Sequence, residues 1–383
     1  MVFSGLDVVF TVYAVERLQL PASDLALLRS LRLIVSIPFI LVMGGVADLW
    51  GTKKTAFAAI LMTAAASVLT IAIPSKGTLF ATFPVYGGLT AILLVSMNVI
   101  SQSVKDHLRN LSNTLYRSTF IGFAIAGPLC AGLLISYGYL AAFLGFAAIL
   151  AVSLGALSLY PEEKNAVPPH GELPGKSVSR LIGSWSSLLH DKPMMTYMFL
   201  NGLLNHVVMV NLVLIPIKLM NELGVSSRDF TLVMTLSSVT GLLFTVAAGF
   251  LMKKHLAKLV VVPMLLSAAS NLVLGLQANV ALTIVLFMLS SAFYTVTMAP
   301  TSLWLSGMAK RQFGAVFSFF KIVSAGLGFL VSAVLSIVQP ALGIDRALVA
   351  YGTFGLLASL LFMRHIYRWQ EASGGQPPER SQG

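Results

Sequence analysis

The chain is built from apolar runs of about 20 residues that are separated by short polar breaks. A run of this length is what an α-helix needs to cross roughly 30 Å of hydrocarbon at about 1.5 Å per residue. Backbone polar groups find no water inside a bilayer, so each run must satisfy its hydrogen bonds internally as a helix. Transmembrane barrels show alternating segments of about ten residues instead. The runs therefore predict an all-α membrane protein whose surroundings are the lipid bilayer.

The composition agrees with a membrane solvent. Only 10% of the residues are charged and 57% are hydrophobic, whereas soluble domains carry about 25% charged residues. The lone cysteine, Cys130, lies in an apolar run, which excludes a disulfide within the chain. The net charge of +11 comes from short basic clusters between the runs rather than from one face of a domain. This pattern favours membrane orientation and argues against nucleic-acid binding.

Twelve runs are long enough to span. Spans 1 to 12 are predicted at 1–19, 24–47, 55–75, 78–101, 112–136, 138–160, 193–217, 229–252, 258–277, 279–307, 313–338 and 346–366. A polar stretch with four prolines divides them six and six, because proline cannot continue a helix. We predict an N-terminal six-helix bundle over 1–160, a cytoplasmic linker over 161–192, a C-terminal six-helix bundle over 193–366 and a disordered cytoplasmic tail over 367–383.

The second part of the linker has an amphipathic pattern. Apolar residues share one helical face at Val178, Leu181, Ile182, Trp185, Leu188 and Leu189. A short helix lying on the inner membrane surface fits this pattern. A loop helix packed on the bundle fits it equally well, so both interpretations stay open.

The basic residues set the orientation. They concentrate in the loops that lie on one side, and the opposite side holds only Arg17, Lys76, Lys218, Arg228 and Arg346. Loops rich in lysine and arginine stay in the cytoplasm. We therefore expect both termini to be cytoplasmic in the cell inner membrane.

The two halves repeat. A shift of 205 positions places Asp24 on Asp229 and Gly44 on Gly249, each pair at a corresponding point of its apolar run. Parallel repeats of six spans are one architecture of secondary transporters. The same shift would start span 1 about ten residues before Met1, so we expect span 1 to lack its cytoplasmic end.

The loop between spans 2 and 3 carries a motif. Small, acidic and basic residues stand in order at Gly44, Asp48, Gly51 and Lys53. This resembles the loop signature of the major facilitator superfamily. The resemblance implies twelve helices in two six-helix pseudo-repeats, solute transport by alternating access and a conformational switch at this loop. Leu49 and Thr52 depart from the family pattern, which prefers basic residues there, and Lys253 replaces the acidic residue in the second half.

A second motif lies in span 5. Its small residues and proline are Gly122, Gly127, Pro128 and Gly132. They are similar to the helix-packing motif of drug exporters in the same superfamily, although the first glycine is one residue out of register. Another exporter signature expects an arginine in span 4 where this chain has Pro84. The resemblance implies export of an amphipathic organic compound.

Ionisable residues inside spans are costly and are therefore candidates for function. Asp7 lies about 17 Å from the predicted outer end of span 1, near the midplane. Arg29 and Arg32 share a face of span 2 because they are three residues apart. For Asp7, coupling to a proton or another cation competes with a structural ion pair to either arginine.

Other candidates lie in later spans. Arg117 in span 5 and Lys321 in span 11 have related depths, which fits anion binding or a gate, or else snorkelling to the surface. His206, with Asn201 and Asn205, gives span 7 a polar stripe that fits solute binding or interhelical hydrogen bonds. One histidine without carboxylate neighbours does not suit a metal.

Aromatic residues offer a cavity lining at Tyr86, Tyr294 and Trp304, although Trp304 also fits an interface belt. The sequence has no nucleotide-binding loop, metalloprotease motif or nucleophile elbow, so we expect no cofactor and no enzyme. The leading hypothesis is a monomeric secondary transporter that takes a small-molecule substrate, with a proton or another ion as the candidate coupling ion. The alternatives are a metabolite or anion uptake carrier, and a non-transporting sensor or assembly factor on a transporter fold.

Overall fold

The computed structural model describes residues 2–50, 52–87, 122–123, 125–159, 185–186, 188–309 and 313–372. Throughout these ranges the secondary structure is helical, with turns between helices. The predicted all-α class is confirmed. The linker up to residue 184, the tail after residue 372, Gly51 and Arg117 lie outside the described residues, and so do the side chains of residues 40–50.

The first half contains six helical segments in the described ranges. They run over Val2–Val12 with a π-turn at Tyr13–Arg17, Ala22–Trp50, Thr52–Ala72, Lys76–Thr82 with a 3-10 turn at Phe83–Tyr86, Ile125–Ile135 and Tyr139–Ser158. Each segment overlaps one of the predicted spans 1 to 6. Only the beginning of span 4 and the end of span 5 are described.

The second half is formed by longer helices. They are Lys192–Val208, Asn211–Ile217 with a π-turn at Lys218–Glu222, Ser227–Leu274, Val280–Ala309 and Phe313–Ala372. Ser227–Leu274 contains spans 8 and 9, divided by non-helical dihedrals at His255, and Phe313–Ala372 contains spans 11 and 12, divided at Gly343. Within the described ranges, seven helices are long and apolar enough to cross a membrane.

Span 7 ends later than predicted. The sequence suggested an end at residue 217 and a loop position for Lys218, but the π-turn carries the helix to Glu222. Lys218 is consequently buried, with a side chain 1% exposed. The prediction of Lys218 as a loop residue was wrong because the π-turn extends the helix past it and groups from distant helices cover its side chain.

The structure repeats at the interval seen in the sequence. The π-turns begin 205 positions apart at residues 13 and 218. The left-handed residues that follow them, Gln19 and Gly224, have the same separation. A third pair, Gly138 and Gly343, starts the last helix of each half with positive φ values of 104° and 75°. Because such φ values recur at related positions, both halves use one backbone plan.

Two compact units divide the chain. The first contains Met1–Leu20, Leu31–Gly183 and Ser227–Thr235, and the second contains Pro21–Ser30, Ser184–Ser226 and Leu236–Gly383. The core of the second unit includes Tyr197, Trp304 and Phe362. Leu188, from the described end of the linker, belongs to that core, and Trp185 packs against it. These two side chains of the amphipathic face therefore contact protein.

Candidate functional site

In the first unit, Asp7 and Arg32 form an ion pair. The Nη1 atom of Arg32 donates a hydrogen bond to Oδ1 of Asp7 over 2.5 Å. The side chains are 15% and 21% exposed for Arg32 and Asp7 respectively. Arg29, the other partner considered from the sequence, is half-buried one turn earlier on the same helix. A charge pair this deep in an apolar bundle is stable only because each ion compensates the other.

Aromatic rings surround this pair. Arg32 lies over the ring of Phe83, with 5.3 Å from its guanidinium carbon to the ring centroid. Phe10 packs edge-on against Phe83 and Tyr86 at centroid distances of 5.4 and 4.5 Å. Together these residues line a crevice that is too narrow for a water molecule. The rings lower the local dielectric and strengthen the attraction between the charges.

In the second unit, two of the predicted span 7 residues form a polar ladder. Asn205 donates from Nδ2 to Oδ1 of Asn201 over 2.7 Å, and Asn201 donates to Oγ1 of Thr301 over 3.3 Å. Asn201 is fully buried and Asn205 is 9% exposed. The spacing of four residues places both amides on one helix face. Thr301 belongs to Val280–Ala309, so the ladder joins two helices.

His206 faces a different helix. Its Nε2 atom lies 3.2 Å from Oγ of Ser324. A Cβ atom on Gly328 would come within 2.4 Å of Cε1 of His206, so the imidazole fits only because glycine stands there. Lys321, one turn before Ser324, exerts a charge interaction on the same imidazole. The arrangement brings a hydrogen-bonding imidazole close to the amino group of Lys321.

A third polar group contains two residues, Asn271 and Ser290, that were not identified from the sequence. Span 7 is interrupted between Val208 and Asn211, and Asn271 donates to the carbonyl oxygen of Val208 over 3.0 Å. Asn211 donates to Oγ of Ser290 over 3.0 Å, and Ser290 donates to Oδ1 of Asn271 over 2.9 Å. The network satisfies a carbonyl released by the helix break. Asparagines within apolar runs were the sequence signal that could have revealed it.

The loop motif is described only in part. Gly44 and Asp48 lie within the helix Ala22–Trp50, but their side chains are outside the described residues. Lys53 donates from Nζ to the carbonyl oxygen of Ser158 over 2.7 Å. Ser158 ends its helix, where carbonyl groups lack helical partners and attract cations. Lys53 therefore ties the start of span 3 to the end of span 6.

The span 5 residues differ in their surroundings. Gly127 and Pro128 are buried, whereas Gly122 is exposed and a Cβ atom there would meet open space. A Cβ atom on Gly132 would lie 2.3 Å from Oγ1 of Thr231. Gly132 therefore permits a close helix contact.

Two of the aromatic candidates for a cavity lining are buried to different degrees. Tyr294 is half-buried, whereas Trp304 is 1% exposed and its ring stacks on Tyr197 at a centroid distance of 6.3 Å.

The described side chains contain no group of three or more histidine, cysteine, aspartate or glutamate residues arranged to hold a metal ion. The polar groups described above instead offer amides, hydroxyls, one imidazole and one ion pair. Such groups can bind a solute by hydrogen bonds or exchange a proton.

The family model described as Major Facilitator Superfamily matches residues 1–210 and 206–382. No curated protein sequence matches the chain. Three similar solved structures cover nearly all of it. The nucleoside transporter NupG has a TM-score of 0.76 and 13% identity, covering 95% of both chains. A D-xylose-proton symporter has a TM-score of 0.73 and 17% sequence identity, covering 94% of both chains.

The third structure is a bacterial homolog of the human lysosomal transporter Spinster, with a TM-score of 0.72 and 12% identity over 97% of this chain and 96% of its own. At these identities the likeness shows the fold alone. Fold and apolar helices describe a multi-pass membrane protein with the architecture of secondary transporters. Because the family model covers both halves, the chain belongs to the major facilitator superfamily.

Proposed function

We propose that this protein moves a small polar organic solute by secondary active transport, with Asp7 as the proton-binding group. The observation that carries the proposal is the Asp7–Arg32 ion pair enclosed by Phe10, Phe83 and Tyr86. An ionisable pair inside a span is expensive to maintain and marks an ion or proton path. The D-xylose-proton symporter of similar fold provides a precedent for proton coupling on this scaffold.

The pair can act as a charge switch. With Asp7 ionised, the two charges cancel and the site tolerates its apolar surroundings. A proton on Asp7 cancels its charge and removes the anion of this pair, while the guanidinium of Arg32 stays over the Phe83 ring. That state favours rearrangement of the helix that carries Arg32 or binding of an anionic group. Proton binding thus changes the energy of the conformation, as coupling requires.

The polar ladder of the second unit favours a solute rich in hydrogen-bonding groups. Asn201, Asn205 and Thr301 provide neutral donors and acceptors, and His206 adds an imidazole. Neutral amides and hydroxyls recognise hydroxyl groups and ring nitrogens without selecting charge. The names of two proteins of similar fold, a nucleoside transporter and a xylose symporter, agree with such a solute.

Export of an amphipathic organic compound is the second candidate. The span 5 motif motivates it, and the close approach of Gly132 to Thr231 gives one of its glycines a packing role. Under either candidate we propose a monomeric protein of the cell inner membrane. The charge distribution in its loops supports cytoplasmic positions for both termini.

Proteoliposomes with an imposed pH gradient test the proposal. The solutes are nucleosides, pentoses and a panel of amphipathic compounds. Asp7→Asn should abolish gradient-driven accumulation while retaining exchange of labelled for unlabelled solute, because exchange needs no net proton movement. Glu16→Gln is the matched control, since Glu16 is an exposed carboxylate at the end of the same span that accepts a bond from Tyr139.

Two results would contradict the proposal. One is accumulation by Asp7→Asn at the wild-type level, which would make the pair structural. The other is absence of gradient-driven flux of any tested solute by the wild-type protein. Preferential outward movement of the amphipathic panel would favour the second candidate.

A further inference from the structure

Lys218 is a buried cation that the transport proposal does not use. Its side chain is 1% exposed at the π-turn that ends span 7. Nζ donates to the carbonyl oxygens of Leu274 and Gln277 over 2.8 and 2.7 Å, and to Oδ1 of Asp345 over 2.7 Å. An ammonium group has three donors, and all three are therefore occupied.

The three oxygens come from separate parts of the second unit. Leu274 is the last residue of a helix, where carbonyl oxygens lack helical partners and carry partial negative charge. Gln277 lies in the turn that follows. Asp345 comes two residues after Gly343, whose φ of 75° breaks the helix and lets a new helical segment begin. The three acceptors converge because two chain turns meet at this point.

Close backbone packing fixes this convergence. A Cβ atom on Gly275 would lie 2.5 Å from the carbonyl oxygen of Asp345, so only glycine permits the approach. Glu222 adds a second carboxylate that interacts electrostatically with Asp345 and Lys218. The two carbonyl acceptors are thus held by the backbone, and two carboxylates, those of Asp345 and Glu222, accompany the single positive charge of the lysine.

The equivalent position in the first half shows that the fold itself does not require this charge. Tyr13 begins the first π-turn, 205 positions before Lys218 (residues 13 and 218). Its ring packs edge-on against Tyr139 at 5.2 Å and Phe143 at 5.6 Å. The π-turn is therefore packed by aromatic rings in the first half and held by a buried cation in the second half.

We propose that the oxygens of Leu274, Gln277 and Asp345 form a binding seat for a monovalent cation, and that Lys218 fills it as a tethered ammonium ion. The seat would accept a free ammonium, methylammonium or potassium ion if the lysine were removed, because these ions resemble the lysine head group in charge and radius. By filling it, Lys218 joins the end of span 7, the end of span 9 and the start of span 12 into one rigid corner.

Chemical rescue tests the seat. Lys218→Ala should leave a cavity in which two carbonyl oxygens have lost their donor and the Asp345 carboxylate, 54% exposed, has lost its cation. Because solvent screens the exposed carboxylate, the unfolding temperature in choline chloride should fall by about 5 °C. Ammonium or potassium chloride at the same ionic strength should restore at least half of the loss. Wild-type protein should unfold at one temperature in all of these salts.

Three variants identify the seat as the origin of the rescue. Lys218→Met should be destabilised without rescue, because the methionine side chain fills the cavity. Asp345→Asn in the Lys218→Ala background should abolish the ammonium effect. Tyr13→Ala, the matched change in the first unit, should lower the unfolding temperature equally in every salt.

Other outcomes would overturn the proposal. These are a Lys218→Ala protein as stable as wild type in choline, an equal response to all cations, or an ammonium response by Tyr13→Ala. If Lys218→Ala does not accumulate as folded protein, hydrogen exchange on Asp345→Asn decides the question. Exchange should then rise in residues 274–279 and 343–346, and unchanged exchange in both segments would refute the rigid corner.

Discussion

A double-mutant cycle on Asp7 and Arg32 would measure how strongly the ion pair stabilises the first unit. Asp7→Asn leaves the guanidinium of Arg32 buried without its carboxylate, and Arg32→Gln leaves the carboxylate without its cation. Breaking one side of a buried pair costs about 3–5 kcal/mol. Because the side chains here are 15% and 21% exposed, solvent screening places each cost near the lower limit, at about 3 kcal/mol.

The double variant should cost less than the sum of the single variants. Asparagine and glutamine can hydrogen-bond to each other, and neither leaves a buried charge. Arg32→Gln also loses the contact with Phe83 at 5.3 Å, worth about 1 kcal/mol, and this loss persists in the double variant. We therefore expect a coupling free energy of at least about 2 kcal/mol.

Equilibrium unfolding in detergent micelles, followed by circular dichroism, measures the four free energies. Glu16→Gln provides the control, because the Glu16 carboxylate is exposed on the same span and accepts a bond from Tyr139. Its cost should stay near 1 kcal/mol or below. Additivity of the Asp7 and Arg32 changes to within about 0.5 kcal/mol would refute the view that the two charges compensate each other.

Two further changes concern the helix breaks of the second half. Asn271→Leu should cost about 2 kcal/mol of unfolding free energy, because the Val208 carbonyl loses the hydrogen bond that Asn271 donates and the Ser290 hydroxyl loses its acceptor on Asn271. A loss below about 0.5 kcal/mol would show that the network is dispensable. Gly343→Ala should cost about 1–2 kcal/mol of unfolding free energy, because φ is 75° at this residue. Gly326→Ala is the control and should be neutral or stabilising, because φ is not positive there and a Cβ atom would meet open space. Equal effects at the two glycines would contradict the reasoning.

The fold class could be predicted from composition and the length of the apolar runs. In a bilayer the backbone has few options, so run length alone indicates a helix and its approximate ends. The repeat was also visible, because duplication preserves the spacing of turns. Its interval of 205 positions reappears in the backbone at residues 13 and 218 and at residues 138 and 343.

The candidate site was predicted only as a set of residue types. Sequence singled out Asp7 as a buried carboxylate but left Arg29 and Arg32 as equal partners, because both lie on one face of the same helix. Only the packing of that helix beside span 1 pairs Asp7 with Arg32. The rings of Phe10 and Phe83 were not singled out, since aromatic residues occur in most of the spans.

The amino-acid sequence by itself determined the solvent of this protein, its helical class and its twofold plan, because these depend on hydrophobicity and spacing along the chain. Tertiary structure alone decided which polar groups meet. Lys218 looked like a loop residue until Leu274, Gln277 and Asp345 were found around its ammonium group. A buried charge is defined by its partners, and those partners come from helices whose distance along the chain carries no information about contact.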